Sequence, residues 1–409
     1  MRIIPTRRHF AVACLMWLGG LGSALAPTLA SAQANAPATA GEPIKIGVLT
    51  ALSGPYVPFG QPLYDGVKMA VQEVNAQGGL VVAGVRHPVQ IVERDTRSDV
   101  NATVTGATAL VRDAGVKFII GPGTGVETGP ALEITQRAKV IQLSAASILQ
   151  GVLTKENTSP TGNRRHLFMV QTGSDVREYM TIKMSQKFMG APKRHAVIIS
   201  NDSNGDFFGK AVAAGIERAG VTLALPNVLY EPGTTDYSPY LTKIREAKPD
   251  HLNIWWLPTD GINILKQARQ LDTASSYFVF GPEPLDVVQR IPDVDRVLIA
   301  CLPICRGVTT TPETKAFWER YVILAGANAK FGAAAGGAAW YYEGTRMLFK
   351  AMQAAGNVDN TDDISAALAK TELAGSLGTM RFNDKHIALH GFDFCVFTKG
   401  KPACEHIPP

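Results

Sequence analysis

Several segments of the 409-residue chain carry the residue types of phosphate, acyl or metal chemistry, and each departs from the pattern that the chemistry needs. In Gly121-Pro122-Gly123-Thr124-Gly125, Val126 stands where a dinucleotide-binding G-x-G-x-x-G loop needs its third glycine. Gly205 to Lys210 is one residue short of a phosphate loop, and Ala211 replaces its Ser or Thr. No G-x-S-x-G elbow and no H-E-x-x-H helix occurs, and no histidine is spaced to serve a nucleophile. The sequence therefore points away from catalysis, with an exported enzyme kept as an alternative, and it implies no cofactor.

The cysteines are more informative. Cys14 lies near the start of the chain; the other four are Cys301, Cys305, Cys395 and Cys404. In an exported chain such cysteines pair as disulfides, and local pairing, Cys301 with Cys305 and Cys395 with Cys404, is the first expectation. A zinc site is the alternative, with His386, His390 and His406 nearby, but neither pair has the two-residue spacing of a zinc knuckle. No other metal site is expected.

Export itself is read from the first 32 residues. Arg2, Arg7 and Arg8 precede an apolar stretch from Phe10 to Ala26, and Ala30-Ser31-Ala32 is a small-x-small cleavage site. Thr6-Arg7-Arg8-His9-Phe10 also resembles a twin-arginine signal. Pro27 and the glycines make the stretch a poor membrane span, and no other run approaches about 18 apolar residues. The expected location is the periplasm, by the general or the twin-arginine route. Without the signal, 37 basic residues face 35 acidic ones, so the formal charge falls from +5 to +2, too little for a nucleic-acid partner.

The elements that must position a site follow from hydrophobic rhythm. With 46% hydrophobic and 18% charged residues, the chain is globular and long enough for two or three domains. After a tail at 33–42, strand-like runs at 44–50, 89–94, 117–121 and 139–143 alternate with helical segments such as 99–115. One of these places Leu63, Val67, Ala70, Val71 and Val74 on a single face, with Pro62 suited to its first turn. The rhythm restarts with runs at 167–171, 195–200, 251–257, 277–281 and 296–302, among helices at about 174–189, 207–219, 237–247 and 260–271. Helices at 333–355 and 362–370 and a hairpin-like end at 380–398 close the chain. Alternating strand and helix predicts α/β architecture, here two doubly wound parallel-sheet lobes.

Ligands of open parallel sheets bind beyond the carboxyl ends of the strands. The loops to examine are therefore 51–60 with Tyr56 and Phe59, 121–130 with Thr124 and Gly125, and 144–147 with Ser144, Ala146 and Ser147. In the second series they begin at Asn201, Trp255 and Gly281.

The loop SGPYVPFG, the helix end VNAQGG, Asp95 after a strand and FIIGP together resemble the periplasmic branched-chain amino-acid-binding family, of Leu/Ile/Val-binding type, which serves ABC importers. Asn201-Asp202, LKQARQLD at 265–272, FGPE at 280–283 and GFDFCVF at 391–397 continue the likeness over about 44–398. The resemblance implies a type I periplasmic binding fold with two lobes joined by a three-strand hinge. It places lobe 1 at 43–165 and 306–384 and lobe 2 at 166–305 and 385–409. It implies a non-catalytic, monomeric receptor that closes on a small amino-acid-like or aromatic carboxylic solute. The solute would pass to a membrane permease and its ATPase, or, alternatively, be reported to a signalling receptor. By the same resemblance Glu283 matches a glutamate that holds a ligand ammonium, and Phe59 a flanking aromatic. Thr124, Gly125, Ser144, Ala146 and Ser147 belong to the carboxylate side, while Phe208 and one of Trp255 and Trp256 cover the ligand. Gly125 is a departure, because it aligns with a serine whose hydroxyl it lacks.

Overall fold

The computed structural model describes residues 39–255, 260–280, 285, 288–301, 303–305, 308–327 and 332–408. The expected signal segment at 1–32, Trp256 and Glu283 lie outside them.

The first half of the chain winds one sheet. Strands β1 (Ile44–Thr50), β2 (Val89–Asp95), β3 (Phe118–Ile120), β4 (Ile141–Ser144) and β5 (Leu167–Thr172) are joined by α1 (Val57–Ala76), α2 (Val100–Arg112) and α3 (Gly125–Arg137). A one-turn helix, α4 (Lys155–Thr158), precedes β5. The chain then builds a second sheet from α5 (Ser174–Phe188), β6 (Arg194–Ser200), α6 (Ser203–Arg218), β7 (Thr222–Leu223), β8 (Val228–Tyr230), α7 (Ser238–Glu246), β9 (His251–Trp255), α8 (Gly261–Gln270), β10 (Ser276–Phe280) and β11 (Val297–Ala300). It returns to the first half through α9 (Pro312–Ala325), α10 (Gly332–Ala355), α11 (Thr361–Leu368), β12 (Glu372–Gly375), β13 (Gly378–Phe382) and β14 (Ile387–Leu389). It ends in the second sheet with β15 (Phe392–Thr398) and β16 (Lys401–Ile407).

The strand orders are β12-β13-β14-β5-β4-β3-β1-β2 in the first sheet and β7-β6-β9-β10-β11-β15-β16 in the second, where β8 also pairs with β6. The chain thus crosses between sheets three times: after Thr172, after Ala300 and between Leu389 and Phe392. The centres of both sheets are parallel, with Ile46 opposite Phe118 and Ile254 opposite Val279. Their margins are antiparallel, at β12–β13–β14 and β11–β15–β16. β5 and β14 are hydrogen-bonded into the first sheet, so the first crossing follows Thr172 and the last follows Leu389, each a few residues later than the boundaries at 166 and 385 that the resemblance implies. The Val/Ile/Leu-rich central strands are buried on both faces, as parallel strands covered by helices must be. Each such side chain contributes about 1.5–3 kcal/mol by leaving water.

Local signals set the helix starts. Asp99 caps α2 by accepting from Ala102 N–H, and Asp202 caps α6 by accepting from Gly205 N–H, so α6 begins at 203, ahead of the expected 207. In α1 the proline of the first turn is Pro58, and Pro62 lies inside the helix. Helix α9, missing from the sequence reading, starts with Thr311 as cap and Pro312 in its first turn. It buries Phe317, Trp318 and Tyr321 against α10 and the first sheet.

Both expected cysteine pairs are disulfide-bonded, Cys301 with Cys305 and Cys395 with Cys404. The second joins directly opposed residues of β15 and β16. Sulfurs bonded in this way do not serve as zinc ligands.

Candidate functional site

At the carboxyl edge of the first sheet, three loops form one wall. The loop after β1 is pinned by Asp95 at the end of β2. Leu52, Ser53 and Arg97 N–H donate to its Oδ1 at 2.9, 3.2 and 2.8 Å, and the Ser53 hydroxyl donates to Oδ2 at 2.7 Å. Desolvation pulls the Asp95 carboxyl up, but these donors outweigh it and hold it below the ordinary carboxylate value. Ser98 Oγ accepts from Tyr56 N–H at 2.9 Å and donates to Ser53 O. The aromatic loop is therefore fixed from outside, leaving Tyr56 half-buried and Phe59 42% exposed.

The loop after β3 needs glycine at its first residue. Gly121 has φ of +102°, and a Cβ there would collide with Leu49 O. Thr124 occupies the cap position of α3, yet its hydroxyl caps nothing. It donates to Glu127 Oε2 at 2.6 Å, while the Thr96 hydroxyl donates to Glu127 Oε1. Ser144 is fully buried: its Oγ donates to Pro122 O at 2.6 Å and accepts from Ala146 N–H at 3.1 Å. Ala145 N–H donates to the Tyr341 hydroxyl at 3.3 Å, whose pKa burial raises. The hydroxyls of Thr124 and Ser144 and the Ala146 amide are thus engaged within the wall. The side chain of Ile148 fills the space beside Gly125, its Cγ2 lying 2.8 Å from where a Cβ would stand. The large apolar side chains these loops leave exposed are Phe59, Val126 at 57% exposure and Ile148 at 45%.

At the carboxyl edge of the second sheet an aromatic cluster forms. Phe208 from α6 stacks on Trp255 at the end of β9, with centroids 5.4 Å apart, and Phe280 at the end of β10 lies 4.2 Å from Trp255. Phe208 stays half-buried, whereas Trp255 and Phe280 are buried. Trp255 is therefore packed beside Phe208, and Trp256, the expected ligand-covering residue, lies outside the described residues together with Glu283.

Sequence reasoning missed the group around which these rings gather. Arg177, in the first turns of α5, lies with its guanidinium carbon 4.7 Å from the Phe280 centroid, 5.3 Å from Phe208 and 5.7 Å from Trp255. It is buried, and its Nε donates to Glu178 Oε1 at 2.9 Å. Burial pushes the Glu178 carboxyl up to about 7 against the pull of Arg177. The guanidinium also reaches the first wall. Arg177 Nη1 donates at 2.9 Å to the Gln171 amide, assigned so that its nitrogen donates to Ala145 O, and Ser147 Oγ lies 3.4 Å from the same amide. Gln150 ties the walls a second time, accepting from Ser174 N–H at 3.0 Å and donating to Asp175 at 2.8 Å. In the sequence, Arg177-Glu178 reads as an ordinary pair of helix-surface charges, and no local signal marks it.

Two walls at the carboxyl edges of two doubly wound sheets, joined by three crossings, make a two-lobed architecture whose strand ends are placed to take a ligand. Comparison with known proteins agrees. The periplasmic binding protein family model matches residues 43–401, and the chain belongs to that family. It is similar to the Leu/Ile/Val-binding protein of Escherichia coli (strain K12), 26% identical over 248 residues, a match spanning 59% of this chain and 62% of that relative's length. It is 24% identical over 374 residues to the leucine-, isoleucine-, valine-, threonine- and alanine-binding protein of Pseudomonas aeruginosa, across 89% and 92% of the two chains. Among solved structures, the branched-chain amino acid transporter substrate binding protein of Streptococcus pneumoniae, in complex with isoleucine, superposes with a TM-score of 0.67 at 20% identity, over 90% of this chain and 100% of that one. A solute binding protein of R. palustris in complex with benzoate gives 0.66 at 16% identity, over 90% and 98%. The fold is therefore the type I periplasmic binding fold. No helix among the described residues is long and apolar enough to cross a membrane.

Proposed function

We propose that the chain is the solute receptor of an ABC importer. It captures a small amino-acid-like or aromatic carboxylic solute between the two walls and hands it on chemically unchanged. The observation that carries this reading is the exposure of Phe59, Val126 and Ile148 in the loops at the carboxyl edge of the first sheet in a member of the periplasmic binding family. Such side chains gain by burial when the lobes close on a solute. The solute shifts the open–closed equilibrium by its differential affinity for the closed form.

In this reading the lobes follow the expected division, 43–165 with 306–384 and 166–305 with 385–409, except that the strands 167–172 and 387–389 go with the first lobe's sheet, and the receptor is an exported monomer. Its leader directs it to the periplasm, where the disulfides form. The closed form docks on a permease and its ATPase. The relatives' printed ligands, branched-chain amino acids and benzoate, support the solute class. Glu283, Phe59, Tyr56, Ser147, Phe208 and Trp256 remain the side chains assigned to the solute, alongside the backbone at Gly125.

A thermal-shift screen of amino acids, amides and small aromatic acids tests this. A solute at about 100 times its Kd adds about 2.7 kcal/mol of apparent stability. Recovery of that solute unaltered after incubation supports a receptor; its conversion would make the protein an enzyme.

A further inference from the structure

We infer that the two disulfides form one thiol-exchange site for a soluble dithiol: the dithiol opens Cys395–Cys404, and the freed Cys395 then takes Cys305 from Cys301, so that the bond that survives joins the second crossing to β15. The inference stands on the sulfur cluster and does not depend on the receptor reading.

The two bonds close short loops, of sequence separation 4 and 9, but the fold packs them against each other. Cys301 and Cys305 lie at the start of the second crossing, just beyond β11, and β15 runs antiparallel beside that strand with Cys395 opposite Ile299. Cys301 N–H donates to Asp393 O, and Asp393 N–H donates to Pro303 O, both at 2.9 Å. Backbone bonds therefore hold the crossing against β15. The Sγ atoms of Cys305 and Cys395 are 3.9 Å apart, and those of Cys301, Cys305 and Cys395 all lie within 4.8 Å of one another. The first of these distances is van der Waals contact. A cysteine released from its own bond regains rotation about χ1, and that rotation can carry its sulfur onto the neighbouring disulfide.

Burial sets the order of events. Cys301, Cys305 and Cys395 are buried in the apolar core of the second sheet, whereas Cys404 is half-buried on the polar edge strand β16. Access decides which sulfur a thiolate attacks, so a dithiol in solution meets Cys404 first. Its sulfur bonds to Cys404 Sγ, the Cys395–Cys404 bond breaks, and the electron pair leaves on Cys395 Sγ. The dithiol's second sulfur closes its own ring disulfide and releases Cys404 as a thiol. Cys395 then bonds to Cys305 Sγ, the Cys301–Cys305 bond breaks, and Cys301 takes the electron pair and a proton. In sum one dithiol becomes a disulfide, two protein disulfides become one, and the two protons end on Cys301 and Cys404. A thiolate among apolar residues is costly, which favours its transfer to a sulfur in contact. The surviving bond spans a sequence separation of 90, and it fastens the second crossing to the strand that follows the third.

The test is partial reduction of the purified native protein by dithiothreitol without denaturant, with acid quenching, thiol alkylation and mass mapping of the peptides. In molecules that have lost one disulfide, the expected result is alkylation of Cys301 and Cys404 and a Cys305–Cys395 link, in at least half of them. Once-reduced molecules alkylated mainly at Cys395 and Cys404, with Cys301–Cys305 intact, overturn the exchange. Molecules alkylated mainly at Cys301 and Cys305 overturn the order of entry, and with it the inference. The variant carrying both Cys301→Ser and Cys404→Ser should form the Cys305–Cys395 bond in oxidised glutathione and keep a cooperative thermal transition. A folded variant that retains both thiols under those conditions overturns the inference as well. The native map needs no substitution, so it decides the matter even if the variant fails to fold.

Discussion

Acidification should destabilise this protein steeply, because His195, His251, His386 and His390 are buried and burial favours their neutral rings. His390 lies at the third crossing, where its Nε2 accepts from Thr172 N–H at 3.2 Å and from Trp340 Nε1–H at 3.0 Å. Protonation of that nitrogen would abolish both acceptor bonds. His195 and His386 are equally enclosed, and burial lowers all three from 6.5 to about 4. Between these values the unfolded chain binds a proton at each site that the folded chain refuses, so stability falls as pH falls. Glu178 acts in the opposite sense. Its folded value of about 7 lies above 4.5, so the folded state takes up its proton first and gains stability on acidification. Where the windows overlap, from 4.5 to 6.5, three protons refused against one accepted leave a net two. At about 1.4 kcal/mol per proton per pH unit, the slope is about 2.7 kcal/mol per pH unit. His251, held well below 6.5 by burial, adds in the same direction. Urea unfolding at half-unit steps from about pH 6.5 to 5 measures the slope directly. His390→Gln should reduce it by about half, about 1.4 kcal/mol per unit. A flat stability profile across that range would refute the neutral-histidine account.

Three further outcomes are expected. Gly125→Ser places a Cβ against Ile148 and should cost about 1 kcal/mol; Ile148→Ala in the same chain should recover it, and equal melting temperatures for Gly125→Ser and the native protein would show that the wall has room. Asp95→Ala frees three donors of the aromatic loop and the Arg97 N–H, and should lower stability by about 2 kcal/mol while weakening the solute of the screen at least threefold; unchanged affinity would detach Tyr56 and Phe59 from binding. Reducing the disulfides, which close loops of sequence separation 4 and 9, should cost about 2 kcal/mol each; thiol counting beside thermal melts checks this, and an unaltered melt with four free thiols would contradict it.

Much of the architecture was legible because parallel strands buried on both faces leave continuous apolar runs. IKIGVLT at 44–50 and HLNIW at 251–255 stand out against amphipathic neighbours. What the reading missed lies where that signal weakens. Helix α9 carries Phe317, Trp318 and Tyr321 among Lys, Glu and Arg, but with a cap and a proline at its start it had local marks that could have revealed it. Strand β16 (KPACEHI) is a polar, exposed edge, and it is held by pairing with β15 and by a disulfide rather than by apolar burial. Such a strand takes its structure from a partner already in place, which local composition cannot supply.

The binding walls divide along the same line. Loop positions follow from strand ends, so the segments carrying Tyr56, Phe59, Thr124 and Ser147 were placed by rhythm alone. The direction of a hydroxyl was not. Thr124 reads in sequence as a donor at a helix start, and only the buried Glu127 three residues on, together with Thr96 from the end of another strand, turns it inward. That turn has an electrostatic consequence. Glu127 lies in the first turn of α3, so the positive end of the helix meets an acid of its own chain. A solute carboxylate has that much less to gain there. Arg177, paired with the equally buried Glu178, is enclosed by rings from segments about 30, 80 and 100 residues further along the chain. The Thr124–Glu127 bond in one wall and the Arg177–Gln171 bond in the other are thus each made by residues that no local pattern in the sequence brings together.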